Sequence, residues 1–177
     1  MNRKRLFIAI PLSENLKDLL YEKFKEYELP GKLTPRENLH ITVHFLGETE
    51  EEDVLQIEEQ IASITEDTPG FILETDKIIL KKGRFHQMLW VKIHPSDPFI
   101  QLVQNLRDIF EPDKTHMKIL PHITLSRLKK AKERVREEGF PINIEDQVIE
   151  VSRVELWQSK MGGKNPVYEL LKGFHLQ

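Results

Sequence analysis

Two short stretches of this chain carry the same pattern, a histidine, an apolar residue, a threonine and an apolar residue. They are His40-Ile41-Thr42-Val43 and His122-Ile123-Thr124-Leu125. Their β-branched and alternating character predicts a strand in each case, with His and Thr on one face and the apolar pair turned inward. Occurring once in each half of a 177-residue chain, they point to a duplicated unit whose halves pair about a pseudo-two-fold axis. A fold for this chain must bring two such strands together.

The surrounding residues supply the rest of an α+β plan. Arg5 to Pro11 reads as a largely buried strand, and Ser13 as the cap of a helix with Leu16, Leu19, Leu20 and Phe24 on one face. A second strand runs from about Leu39 to Leu46. Thr49 and Glu52 form a capping-box pattern for a helix carrying Val54, Ile57 and Ile61. Strands are expected at Phe71–Leu80 and Gln87–Ile93, joined by a turn at Lys81–His86. Asp97-Pro98 opens a helix with Leu102, Val103, Leu106 and Phe110 inward. The second motif strand covers about Pro121 to Leu128, and a charged helix ending near Gly139 follows it. A long strand at Val148–Gln158, a turn at Met161–Asn165 and a strand at Val167–Leu171 close the chain. No linker or low-complexity segment divides it, so residues 1–177 are read as one domain with mostly antiparallel sheet.

Composition narrows the function. A net charge of −3 argues against a protein that coats long stretches of nucleic acid, yet leaves room for a phosphate-bearing substrate held by a few local cations. With no cysteine, disulfides, thiolate metal sites and cysteine nucleophiles are ruled out. The apolar run near the N-terminus is too short to span a membrane and lacks a small-residue cleavage site. A cytoplasmic protein, probing no membrane, is the expectation.

Two imidazoles and two hydroxyls turned into one cleft suit the breaking of a phosphodiester. One histidine, neutral, takes a proton from the attacking water, and the other, protonated, supplies one to the leaving oxygen. An unperturbed pKa of about 6.5 makes both forms accessible near neutrality. Threonine hydroxyls can donate to the non-bridging oxygens, where charge grows. A lone histidine on a strand is more often a surface or core residue; two in identical patterns are harder to set aside. No HExxH or similar spacing is present, and His40 with His44, read on one strand face, is the nearest approach to a metal pair, so no metal and no cofactor are assigned.

The motifs and their flanks resemble the two-histidine (2H) phosphoesterase superfamily, in particular its RNA 2′,3′-cyclic phosphodiesterases, also called 2′–5′ RNA ligases. The resemblance rests on both histidine motifs, on Arg5-Leu6-Phe7-Ile8-Ala9-Ile10-Pro11, on Pro35-Arg36-Glu37-Asn38-Leu39 before the first motif and Phe45-Leu46-Gly47 after it. It extends through Gly83-Arg84-Phe85, Leu89-Trp90-Val91 and Ser126-Arg127, and more loosely through Leu156, Ser159 and Tyr168. It implies a bilobal α+β fold of two pseudo-symmetric, mostly antiparallel sheets with flanking helices and a central cleft. It also implies metal-independent opening of RNA 2′,3′-cyclic phosphate ends to 2′-phosphates, with His40 as acid, His122 as base, and reverse 2′–5′ ligation as a side activity. Arg127 matches a position that contacts phosphate, although simple strand alternation would turn it away from His122 unless a bulge intervenes.

His44 stands where lysine is frequent and is a candidate substrate contact, as is Phe45, either a base-stacking platform or a core residue. His86 is read as solvated surface, Phe7 and Trp157 as core. Lys129, Lys130 and Lys132 could steer RNA inward or simply form a solvated face. Partners are then RNA ends or nucleotides bearing a 2′,3′-cyclic phosphate, with no obligate protein partner and a monomeric state. The competing readings are a phosphodiesterase for small nucleotides, such as 2′,5′-oligoadenylates or ADP-ribose cyclic phosphates, and an RNA-end-binding module without chemistry.

Overall fold

The alternation of apolar residues in Leu6, Ile8 and Ile10 buries one side of the first strand, and the same rule organises the whole sheet. The structure, a computed structural model, describes residues 2–26, 31–82, 86–114, 118–129, 144, 146–163 and 165–177. Its elements are β1 (Arg3–Pro11), α1 (Glu14–Glu26), β2 (Lys32–Leu33), β3 (His40–Glu50), α2 (Val54–Glu66), β4 (Phe71–Lys82), β5 (His86–His94), α3 (Asp97–Phe110), β6 (His122–Lys129), β7 (Val148–Val151), β8 (Arg153–Gly162) and β9 (Asn165–His175). The expected helix after the second motif, the Gly83-Arg84-Phe85 turn, Lys130 and Lys132 lie outside the described residues. So do the side chains of His86 and Lys129.

Among the described residues the strands form one sheet in the order β7-β4-β5-β6-β3-β1-β8-β9, with β2 beside β6, and every pairing is antiparallel. The two expected sheets are its halves. Each is built on a strand–helix–strand unit, β1-α1-β3 in one and β5-α3-β6 in the other, and the halves meet where Ile41 of β3 faces Ile123 of β6. Both isoleucines are fully buried.

Helices α1, α2 and α3 lie on one face of this sheet. Leu16, Leu20 and Phe24 of α1, Ile61 and Ile64 of α2, and Phe99, Leu102, Val103 and Leu106 of α3 share a single core with Leu6, Ile8, Ile10, Ile41, Val43, Ile123 and Leu125. Among the described residues the opposite face carries no helix, and it holds the cleft. No helix among the described residues is long and apolar enough to cross a membrane.

Local signals were realised unevenly. Ser13 caps α1 as expected, its Oγ accepting from the Leu16 amide at 3.3 Å. The Thr49–Glu52 capping box does not form. Pairing of Arg3 with Glu50 carries β3 past Thr49, whose hydroxyl donates instead to the Gly47 carbonyl, and a 3-10 turn at Glu51–Asp53 precedes α2. Gly47 sits at φ +80°, a conformation an L side chain rarely adopts.

The long strand expected at Val148–Gln158 is two strands. Ser152 separates β7, which pairs with β4, from β8, which pairs with β1 and β9. A single residue thus links one end of the sheet to a strand next to its other end, so the sheet must curl back on itself. The C-terminus closes the gap: the amides of Leu176, Gln177 and Gly70 bond to the carbonyls of Ser152, Thr68 and Gln177.

Truncation at the seam between the halves should therefore be costly. Ile123→Ala is expected to lose about 2–5 kcal/mol of stability, the usual range for emptying a buried aliphatic site. Ile72→Ala, on an exposed position of β4, should stay within about 0.5 kcal/mol. Urea denaturation of both variants checks this, and equal costs would show that the seam has no special weight.

Candidate active site

Because Ile41 and Ile123 point into the helix-covered core, the residues flanking them in β3 and β6 point the other way. His40, Thr42, His122 and Thr124 therefore emerge on the cleft face. The antiparallel register sets each histidine across from the other strand's threonine.

The two rings are held alike. His40 Nδ1 donates to the carbonyl of Asn38 at 2.7 Å, and His122 Nδ1 donates to the carbonyl of Leu120 at 2.7 Å. A backbone carbonyl can only accept, so Nδ1 carries the hydrogen and Nε2 is left as the reactive nitrogen. At His40, Nε2 lies 3.0 Å from Thr42 Oγ1, which donates to it while the ring is neutral.

Beyond the threonines the strands depart from simple alternation, at equivalent places. The β1–β3 register slips at Val43 and the β5–β6 register slips at Leu125, each three residues after its histidine. Each slip is a bulge that adds one residue and reverses the faces beyond it. His44 and Ser126 consequently turn into the core, where they are 4% and 0% exposed, and Phe45 and Arg127 turn into the cleft. This is the bulge that a cleft-facing Arg127 requires.

The same bulge overturns the expectation for His44. It does not share a face with His40; its ring packs 5.9 Å from Phe110 and its Nε2 lies 4.0 Å from a Glu111 carboxylate oxygen. It neither faces the cleft nor forms a metal pair with His40. Phe45 is 63% exposed with its ring 6.0 Å from Phe7, which excludes core packing for it.

Aromatic residues line both histidines, and here sequence reading fell short. Phe7 and Trp157 are buried, but in a small cluster with Ala9 that is separate from the main core. With Tyr168 they wall in His40, at ring distances of 5.1, 5.3 and 5.4 Å. Trp90 stacks flat on His122, with centroids 3.6 Å apart and planes at 18°. Lys81 Nζ lies over the Trp90 ring, 5.7 Å from its centroid. Asn38 has two tasks. Its carbonyl orients His40, and its buried side chain donates to the Pro166 carbonyl at 2.8 Å, tying the β8–β9 hairpin to the first motif. The spacing of Asn38 two residues before His40 was the one local signal available; Trp90 and Tyr168 reach the site only through cross-strand register.

Burial sets the electrostatics. Desolvation is the main cause that lowers His40 from 6.5 to about 4, the bond to Asn38 opposes it, and the charges of His122 and Arg127 lower it further. His122 is lowered too, again mainly by desolvation, with Lys81 adding to it and the bond to Leu120 opposing. Without a ligand, both rings are neutral at pH 7. An anion placed among His40, His122, Arg127 and Lys81 reverses that balance, since it favours the charged imidazolium.

Residues 10–88 match the family model described as LigT like Phosphoesterase. The chain is 29% identical to an RNA 2′,3′-cyclic phosphodiesterase of Methanocaldococcus jannaschii, over 95% of this chain and 98% of that protein. It is 24% identical to a protein of the same name from Thermotoga maritima, over 94% of this chain and 92% of that one. Among solved structures, apo LigT of E. coli superposes with a TM-score of 0.79 at 26% identity, covering 99% of both chains. A LigT structure complexed with 3′-AMP matches at 0.73 and 25%, again over 99% of both. With its paired histidine motifs on the central strands of this sheet, the chain is similar in sequence and in fold to the LigT like phosphoesterases.

Proposed function

We propose that the protein opens 2′,3′-cyclic phosphate ends of RNA to 2′-phosphates by acid–base catalysis between His40 and His122. The observation that carries this reading is the matched pair of imidazoles. Each has Nδ1 tied to a carbonyl two residues upstream, and each is followed by a threonine on the same face. The relatives named RNA 2′,3′-cyclic phosphodiesterase support the choice of substrate.

In the reaction, the cyclic phosphate lies between the two Nε2 atoms. Its negative charge raises both histidines, and repulsion between two imidazolium ions leaves one proton shared across the pair. His122, neutral, takes a proton from water as its oxygen bonds to phosphorus. His40, protonated, gives its Nε2 proton to O3′ as the P–O3′ bond breaks. The product carries a 2′-phosphate and a free 3′-hydroxyl, and the pair is left with its proton exchanged between partners. Thr42, Thr124 and Arg127 meet the charge that builds on the non-bridging oxygens, so the scheme calls on no metal. Phe45 offers its exposed ring to the terminal base, which any base can use. Run backwards with a 5′-hydroxyl in place of water, the same steps would form a 2′–5′ linkage.

The purified protein, with EDTA present, should convert nucleoside 2′,3′-cyclic phosphates and a short RNA bearing one into 2′-phosphates. His40→Ala and His122→Ala should each lose at least about a hundredfold in kcat, the contribution usual for a positioned acid or base. Product analysis by chromatography checks both points; 3′-phosphate products, or a variant with near-normal turnover, would sink the scheme. A substrate whose bridging O3′ is replaced by sulfur needs no proton on its leaving group. It should rescue His40→Ala and not His122→Ala, and the opposite result would exchange their roles.

The pH dependence has a defined sign. The free-enzyme values of both histidines lie below 6.5, so the protonated acid becomes scarce as pH rises. The kcat/KM profile should be bell-shaped with its maximum below pH 6.5, falling steadily through pH 7 and 8. The bound anion raises both groups, so the maximum of kcat should lie at higher pH than that of kcat/KM. A kcat/KM that climbs monotonically to pH 8 would contradict the neutral resting pair.

A further inference from the structure

Strand β1 opens with three cations, Arg3, Lys4 and Arg5, and they meet different fates. Arg3 is paired with Glu50 at 2.5 Å and Lys4 with Glu51 at 2.8 Å. Arg5 stands opposite Glu48 in the β1–β3 register, yet no carboxylate among the described residues comes within 4.0 Å of its guanidinium. The same is true of Arg127. Elsewhere on the surface, Arg36, Lys92, Arg153, Lys160 and Lys172 all have carboxylate partners.

Register explains where the charge of Arg5 goes. Arg5 faces Ser159 on β8, and Ser159 faces Tyr168 on β9, so the three share the cleft face in one cross-strand row. The neighbouring row holds Phe7 and Trp157, the wall of His40. Ser159 is small, so the arginine and the tyrosine can approach over it. Arg5 and Arg127 both act on the Tyr168 hydroxyl, which burial nonetheless keeps protonated and able to donate. The edge of the Tyr168 ring rests against His40, 5.4 Å between centroids at 84°.

Two unpaired guanidiniums with a hydroxyl donor between them form a row suited to more than one phosphate. The first phosphate belongs beside Arg127 and the histidines. With its base on Phe45, the same nucleotide offers one further anion, the phosphate on its 5′ side. We propose that Arg5 and the Tyr168 hydroxyl form a second phosphate site, which holds the 5′-side phosphate of the nucleotide whose cyclic phosphate lies between His40 and His122. The protein thereby reads the end of a strand in preference to a free nucleoside cyclic phosphate. This rests on the proposed function for the identity of the nucleotide.

Calorimetric titration tests it without turnover, using adenosine 2′-phosphate, adenosine 2′,5′-bisphosphate and a dinucleotide ending in a 2′-phosphate. The bisphosphate and the dinucleotide should each bind about tenfold tighter than the monophosphate, the gain expected of one charge-assisted contact. In Arg5→Gln both ratios should fall toward one, while in Arg3→Gln, which removes a paired charge from the same strand, they should persist. No preference in the parent protein, ratios retained in Arg5→Gln, or an equal fall in Arg3→Gln would overturn the site. A dinucleotide that binds only like the monophosphate would overturn strand reading. Turnover of the nucleoside cyclic phosphates, followed in parallel, bears on the proposed reaction alone; its absence alongside the expected binding ratios would leave the site standing and the reaction wrong.

Discussion

Ile41 and Ile123 face each other where β3 pairs with β6, and the rest of the molecule is arranged around that contact. Burying both side chains against the helices forces the neighbouring histidines and threonines onto the opposite face. The same contact aligns the two strand–helix–strand units so that their equivalent residues look into one cleft. Without the seam there are two half-sheets, each with one histidine, and the two rings share no cleft. Apolar packing on one side of the sheet is thus what assembles polar chemistry on the other.

Bulges complete the site. Each motif strand keeps a period of two as far as its threonine and then inserts one residue, Val43 or Leu125. The inserted apolar side chains stay in the core, and the residues two further on, Phe45 and Arg127, return to the cleft side. The halves then diverge in what they present: an exposed aromatic ring from one and a guanidinium from the other. A near-symmetric scaffold acquires two distinguishable sides, one aromatic and one cationic.

Electrostatics follow the same division. Arg3, Lys4, Lys92, Arg153, Lys160 and Lys172 of the sheet are paired with carboxylates, whereas Arg5 and Arg127 have no carboxylate partner among the described residues. Beside these cations the two histidines are desolvated by Phe7, Trp157, Tyr168 and Trp90, which holds them neutral until an anion arrives. On the proposed reading, a preference for anions is built from what is withheld, water from the rings and carboxylates from the arginines.

Much of this was legible in the residues. Period-two alternation is a local property, so the motif strands, their inward isoleucines and their His–Thr faces follow from sequence alone, as do the apolar stripes of α1 and α3. The repetition of the motif was enough to expect two halves sharing a cleft. What sequence could not decide was anything that depends on which residues stand opposite each other. The division of Val148–Gln158 at Ser152, the failure of the Thr49–Glu52 cap and the burial of His44 each arise from strand pairing between distant segments. So do the stacking of Trp90 on His122, the bond from Asn38 to Pro166 and the unpaired state of Arg5. Register is set by the packing of the whole sheet. One inserted residue reverses a face without leaving a mark in the local pattern, and for that reason tertiary structure alone placed Phe45 and Arg127 in the cleft and His44 outside it.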